Sequence, residues 1–205
     1  MPTLPLLPTQ SQTSPIQTAR LVLRPFQPTD FPGLRILRTS PEAMRWARKG
    51  CIDETDEETK TWMNRYMSEP GSDDQSSYNF VVHRKKDPSS RSESEEADII
   101  GILGIACRSP SEMPEVGYLF LPATWGMGYA TEALRGFAEA WWKLPLPAGT
   151  SGKEAEEVGT LCAVTDKTNI ASAKVLTKCG WSVVSEGVED DGVAVLNWVL
   201  RRPGV

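Results

Sequence analysis

The stretch from Val116 to Trp142 constrains this chain more than any other part of it. A β-rich run, Val116-Gly117-Tyr118-Leu119-Phe120-Leu121, is stopped by Pro122. Trp125-Gly126-Met127-Gly128-Tyr129-Ala130-Thr131 follows, opening a pattern in which Ala130, Leu134, Phe137 and Trp141 share one helical face. Strand, glycine turn and helix in direct succession put a helix N-terminus just past the strand's carboxyl end. The first amides of a helix have no intrahelical acceptor and carry a partial positive charge, and glycines let a ligand come close. Such a turn can cradle a phosphate without any lysine. It can equally be a tight turn with a convenient helix start. It is not a P-loop, because no Gly-Lys-Ser/Thr follows. Nor is it the dinucleotide fingerprint, because the third glycine is missing and the rest of the chain does not alternate strand and helix.

Composition narrows the field. A chain of 205 residues suits one domain and is long enough to bury its own core. With 40% apolar and 24% charged residues it reads as an ordinary soluble protein, not a disordered or collagen-like one. No apolar run approaches the roughly 20 residues a membrane span requires, so no membrane partner is expected. The net charge of −5 argues against nucleic acid as a partner. Four cysteines without a C-x-x-C pair, and a single histidine, His83, leave neither a zinc site nor a disulfide framework to expect. Reduced thiols and a cytoplasmic location follow as expectations. His83 falls in a strand-like run, where a structural role is the better reading. Cys107, Cys162 and Cys179 read as core residues.

Residues 1–17, rich in Pro, Thr, Ser and Gln and uncharged, read as a disordered tail, with neither the basic start nor the apolar stretch of a signal peptide. A single domain is expected over 18–205, with polar inserts at about 84–98 and 145–159. Its elements begin with a strand at Arg20–Arg24. Two helices follow, one carrying Phe31, Leu34 and Leu37, the other spanning about 54–67 and capped by Asp53 or Thr55. Strands at 78–82, 99–107 and 115–121 precede the glycine turn and its helix. A strand at 160–164 then leads through Asp166–Asn169 into a helix with Ile170, Ala173 and Leu176 inward. Gly180 sits at that helix's left-handed C′ position, and a hairpin closes the chain. The order predicts an α+β three-layer fold, a mixed and largely antiparallel sheet of about seven strands flanked by helices.

Three segments together carry a family resemblance. Glu115 to Leu134, EVGYLFLPATWGMGYATEAL, closely resembles the acetyl-CoA-binding segment of GNAT-superfamily N-acetyltransferases, most of all the branch with the ribosomal-protein N-terminal acetyltransferases. In that family's Q/R-x-x-G-x-G/A pattern Trp125 takes the Q/R position, Gly128 the first glycine and Ala130 the last small residue. The tryptophan departs from the superfamily pattern. The block from Asp166 through Asn169 and Ser172 to Lys178-Cys179-Gly180-Trp181 resembles the family's N-x-x-S…K-x-G-F segment, and Thr18 to Pro25 its opening strand.

The resemblance implies a GNAT-like acyl-CoA N-acyltransferase fold. It implies acetyl-CoA as cosubstrate, without a metal, held in a V-shaped gap between two neighbouring strands. Backbone groups of Tyr118, Leu119 and Phe120 would pair with the pantetheine arm. Amides of Gly126, Met127, Gly128, Tyr129, Ala130 and Thr131 would hold the pyrophosphate. Asn169 and Ser172 would hydrogen-bond the cofactor near its pantetheine arm, although Asn169 also suits a plain helix cap. The implied reaction is direct transfer of an acetyl group to a primary amine: a protein N-terminus, a lysine or a small molecule. The alternative is a non-catalytic acyl-CoA-binding or protein-interaction module on the same fold. Amines are protonated at neutral pH, so a base is required. Glu115, at the head of the strand facing the thioester, is the first candidate and Glu112 the second. Many relatives carry a tyrosine acid in the late helix. Leu176 stands there in this chain, and Ser172 is the substitute candidate. The acceptor is not readable, and neither is the choice between monomer and homodimer. Trp46, Trp62 and Tyr66 read as core more than as pocket lining.

Overall fold

The computed structural model describes residues 5–67, 78–85, 98–108 and 113–203. Among them runs one eight-stranded sheet. Its strands are β1 (Ile16–Gln17), β2 (Leu21–Arg24), β3 (Asn79–Arg84), β4 (Ile99–Arg108), β5 (Pro114–Phe120), β6 (Leu161–Asp166), β7 (Ser182–Val188) and β8 (Ala194–Leu200). Their spatial order is β1-β2-β3-β4-β5-β6-β8-β7, and every neighbouring pair is antiparallel except β5 with β6. The helices are α1 (Phe31–Arg38), α2 (Pro41–Met44), α3 (Asp56–Asn64), α4 (Tyr129–Trp141), α5 (Gly152–Val158) and α6 (Ile170–Lys178). The expected α+β fold is present, one short strand richer than foreseen.

Three layers follow from alternation along the strands. Side chains of successive strand residues point to opposite faces. Phe80 and Val82 of β3 therefore join one core with Leu134, Phe137 and Trp141 of α4 and Leu176 of α6. Val81, between them, joins Leu34 of α1 and Met63 of α3 on the other face. Likewise Val116 and Phe120 of β5 face α4 and α6, whereas Leu119 meets Leu37, Ala43 and Met44 of α1 and α2. His83 is a buried strand residue. Trp62 and Tyr66 pack with Phe26 as an aromatic cluster, and Trp46 lies under the Arg45 guanidinium.

Helix ends obey local chemistry. The Thr55 hydroxyl accepts the Glu58 amide at 3.2 Å, capping α3 ahead of three acidic residues that suit the positive end of a helix. Past α6, Gly180 has φ +84°. The Trp181 amide bonds the Leu176 carbonyl and the Gly180 amide the Thr177 carbonyl, the paired bonds of a Schellman ending.

Some expectations are corrected. Residues 5–17, read as tail, contain a 3₁₀ turn at Gln10–Gln12 and strand β1, and the Leu6 amide bonds Pro145 O at 2.8 Å. The insert 145–159 carries α5, whose Ala155 and Val158 are buried. Two buried apolar positions three residues apart are enough to seat this seven-residue helix. Ile170, read as inward, is 57% exposed, because α6 turns only Leu176 fully to the core. The middle of the 84–98 insert, residues 86–97, and Glu112 lie outside the described residues, as does the side chain of Cys107. Where the insert begins and ends, Arg84 and Asp98 form an exposed ion pair at 2.9 Å. No helix among the described residues is long and apolar enough to cross a membrane.

Candidate functional site

The one parallel pair in the sheet is also its weakest junction. β4 is matched to β5 from Gly101↔Phe120 down to Arg108↔Pro114, but β5 and β6 share the single register Glu115↔Cys162. Beyond that point Gly117 to Phe120 part from β6. Backbone N–H and C=O groups on the β6 side of β5 then lack a strand partner, and such groups need one. The resemblance implies a V-shaped gap between two neighbouring strands, and this pair is the one whose register stops after Glu115↔Cys162. Tyr118, Leu119 and Phe120 form its β5 wall.

Leu121 to Trp125 fold back at the wide end of the gap. The Trp125 indole Nε1–H donates to the Phe120 carbonyl at 2.8 Å, and the Thr124 hydroxyl donates to Leu121 O at 2.7 Å. Thus Trp125 locks the turn in place of the family's usual polar residue. Trp125 is nearly half exposed and Met127 slightly more than half. Gly126 and Gly128 both have positive φ, +76° and +80°, and Gly128 is the N-cap of α4. A residue with a Cβ in that left-handed conformation costs about 1–2 kcal/mol. The first helical bond runs from the Glu132 amide to Gly128 O at 3.0 Å, so the amides of Tyr129, Ala130 and Thr131 precede the ladder.

Across the gap stands α6. Asn169 caps it, Oδ1 accepting the Ser172 amide at 3.0 Å, which leaves its Nδ2 hydrogens for another partner. Ser172 Oγ lies 2.5 Å from the Tyr118 hydroxyl, so a side-chain bond links β5 to α6. Burial pushes the Tyr118 phenol up to about 12, with the Ser172 bond pulling the other way. The phenol is therefore protonated at any physiological pH. Cys179, half-buried below, points its thiol at Thr131 O at 3.5 Å, and burial raises that thiol's pKa. It is a poor nucleophile. Cys162, buried at the vertex, has its thiol 3.5 Å from Pro114 O.

Glu115 sits at that vertex, its side chain 13% exposed and Oε1 3.6 Å from Arg48 Nη2. By alternation it faces the α1–α2 side, and Tyr118 with Ser172 faces the α4–α6 side. The two candidate catalytic side chains thus flank the open strand pair from opposite faces. Leu176, at the position of the family's tyrosine acid, is fully buried and offers no proton.

Sequence reading missed the Tyr118–Ser172 bond and a cluster of Thr18, Arg20 and Glu132 behind the glycine turn. Their partners lie 54 and 112–114 residues apart, beyond any local pattern. No group of three or more metal-ligating side chains occurs among the described residues.

The site is thus an interrupted parallel junction opening onto a glycine-started helix. The family model described as the acetyltransferase (GNAT) domain matches residues 20–182, and the chain belongs to that family. A search of curated proteins finds no significant match to the sequence. Solved structures share the fold at low identity. A GNAT-family acetyltransferase from Bacillus anthracis is 18% identical, with a TM-score of 0.67, covering 92% of this chain and 98% of that one. RimL, a ribosomal L7/L12 α-N-protein acetyltransferase solved in complex with coenzyme A as a disulfide, is 14% identical, with a TM-score of 0.68 and the same coverages. A chimera of spermidine N-acetyltransferase SpeG from Vibrio cholerae and hSSAT is 14% identical, with a TM-score of 0.62, covering 89% and 96%.

Proposed function

We propose that this chain is an N-acetyltransferase that moves the acetyl group of acetyl-CoA directly to a primary amine. The observation that carries the reading is the β5–β6 junction. It pairs once, at Glu115↔Cys162, and opens toward the unpaired amides that start α4. An extended pantetheine arm fits an edge that lacks a strand, and a pyrophosphate fits a helix N-terminus. The residues proposed to hold the donor are Tyr118, Leu119 and Phe120 by backbone, 126–131 by amides, and Asn169 by Nδ2. Acetyl-CoA, when bound, supplies an activated acyl carbon and a thiol leaving group.

The chain's own residues then handle protons. Ammonium groups of lysines and N-termini have pKa values of about 10.4 and about 8, so the acceptor must lose a proton before it attacks. Glu115 is the proposed base, acting directly or through one water. Ser172 Oγ, oriented by the Tyr118 hydroxyl, is the proposed donor to the departing sulfur. The α1–α2 face, with Glu115 and Arg48, is the proposed acceptor side. The second reading, a non-catalytic acyl-CoA-binding module, is favoured by one observation, the apolar Leu176 at the acid position. RimL acts on a protein N-terminus and SpeG on spermidine, so both acceptor classes belong in the test.

Calorimetric titration with acetyl-CoA, CoA and ATP comes first, followed by an acetylation screen of N-terminal peptides, lysine peptides and polyamines. Saturable binding of acetyl-CoA but not ATP, with turnover on one amine class, supports the transferase. Binding without turnover on any amine supports the module, and no binding by the folded protein refutes both.

A further inference from the structure

We infer that Arg20 is a positioning residue for the glycine turn, fixing the Met127–Gly128 peptide so that the Gly128 amide faces the donor's pyrophosphate. The inference rests on the reading of residues 126–131 as the pyrophosphate site. Arg20 lies just before β2, 107 residues from Met127 in sequence, yet its Nη1 donates to the Met127 carbonyl at 3.0 Å. Nε donates to Glu132 Oε2 at 2.7 Å, and the guanidinium lies 4.5 Å from the centre of the Tyr129 ring. The planar fork therefore serves a turn carbonyl and a helix carboxylate at once, which an arginine can do and a lysine cannot.

Orientation follows from peptide geometry. In a trans peptide the C=O and the next N–H point in opposite directions, and the chain has no cis bond among its described residues. Drawing Met127 O back to Arg20 turns the Gly128 N–H the other way, out of the turn. This peptide turns through ψ of Met127 and φ of Gly128, and Gly128, at φ +80°, imposes little preference of its own, so the guanidinium is what fixes the orientation.

Glu132 supplies a second reason. Its carboxylate sits in the first turn of α4, where it competes with an anionic ligand for the same positive helix end. Beside the Arg20 side chain, two further contacts hold it: the Thr18 hydroxyl at 2.6 Å and the Arg20 amide at 2.7 Å. Burial would raise the Glu132 pKa, but these bonds outweigh it and keep the group ionised and occupied. Arg20 thus balances the carboxylate in the first turn of α4, which would repel the phosphates, and aims an amide toward them.

The test compares wild type, Arg20→Ala and Arg20→Lys by following backbone amide resonances during titration with CoA and, separately, with S-acetylpantetheine, which lacks the phosphates. In wild type, CoA shifts the amides of 126–131. Arg20→Ala weakens CoA about tenfold, the size of one lost charge-assisted hydrogen bond, and leaves S-acetylpantetheine unchanged. Arg20→Lys keeps the charge and the fold but loses the fork, and weakens CoA in the same sense. Unchanged CoA affinity in both variants overturns the role of Arg20. So does equal weakening of both probes, which marks a general loosening of the fold. CoA binding in wild type without shifts at 126–131 overturns the pyrophosphate reading itself.

Discussion

Replacing Asp53 with alanine tests how the α1–α3 layer is held. Asp53 is buried, 1% exposed, and its carboxylate accepts four hydrogen bonds: Arg38 Nε at 2.8 Å, Arg38 Nη2 at 2.7 Å, Lys49 Nζ at 2.9 Å and the Thr59 hydroxyl at 2.9 Å. Arg38 is itself 7% exposed and its guanidinium lies over Trp62. Removing the carboxylate strands a buried cation, which costs about 3–5 kcal/mol, whereas the orphaned Thr59 hydroxyl adds about 1 kcal/mol. Lys49 adds little, because it is partly exposed and keeps Glu58 at 2.6 Å. For a chain of this size a loss of about 4 kcal/mol lowers Tm by roughly 8–16 °C. The double variant Arg38→Met with Asp53→Leu removes both charges and should recover most of that loss, since the pair's attraction is largely offset by its desolvation.

The same pair has a pH signature. Burial alone would push the Asp53 carboxyl up, but the bonds from Arg38, Lys49 and Thr59 hold it down at about 2. A carboxylate depressed in the folded state stabilises it fully above its ordinary range, near pH 4, and loses that contribution as pH falls through about 2. Urea melts between pH 2 and 7 should therefore show a steeper acid loss for wild type than for the double variant. A cost below about 1 kcal/mol for Asp53→Ala, or a double variant no better than the single, would refute the argument that an uncompensated buried charge dominates.

Three other outcomes are expected. Gly128→Glu, at φ +80°, should lose CoA binding by at least about 100-fold while melting only a few degrees lower, through αL strain and a carboxylate at the helix start; unchanged CoA affinity by calorimetry removes the cradle. Glu115→Gln should cut kcat by about 10²–10⁴ with near-normal CoA binding, and wild-type turnover across pH would eliminate Glu115 as base. Tyr118→Phe, lacking the bond to Ser172, should cost about 1 kcal/mol in urea melts and lower kcat more than CoA affinity; a kcat equal to wild type would dissociate Ser172 orientation from catalysis.

What could be read in advance divides by range. Phe137 and Trp141 announce the buried face of α4 through spacing alone, and Gly180 marks the end of α6, because helix period and left-handed glycine are local properties. The turn at 126–131 was legible for the same reason. Strand β1 was not, since two residues, Ile16 and Gln17, give no alternation to read and are ordered by β2 beside them. Ile170 looks inward by spacing, yet as the first residue of α6 it is 57% exposed, and only Leu176 of that helix is fully buried. Thr18, Arg20 and Glu132, like Arg38 and Asp53, are polar residues whose partners only the folded chain brings near. Charge at such positions reads as solvent exposure until the fold is known.

The lone register between β5 and β6 means that the sheet is two leaves, β1–β5 and β6–β8, stapled at one end. Little cross-strand hydrogen bonding resists their hinging, so the protein should breathe along this seam before it unfolds elsewhere, and the amides of β6 and of Gly117–Phe120 that face each other, not those shared with β8 or β4, should exchange with solvent ahead of those shared by β3 and β4. A molecule that lies between the leaves as an extra strand welds them. On the proposed reading its occupancy would set the mechanical unity of the protein as well as its chemistry, and melting temperature would gauge how full the seam is.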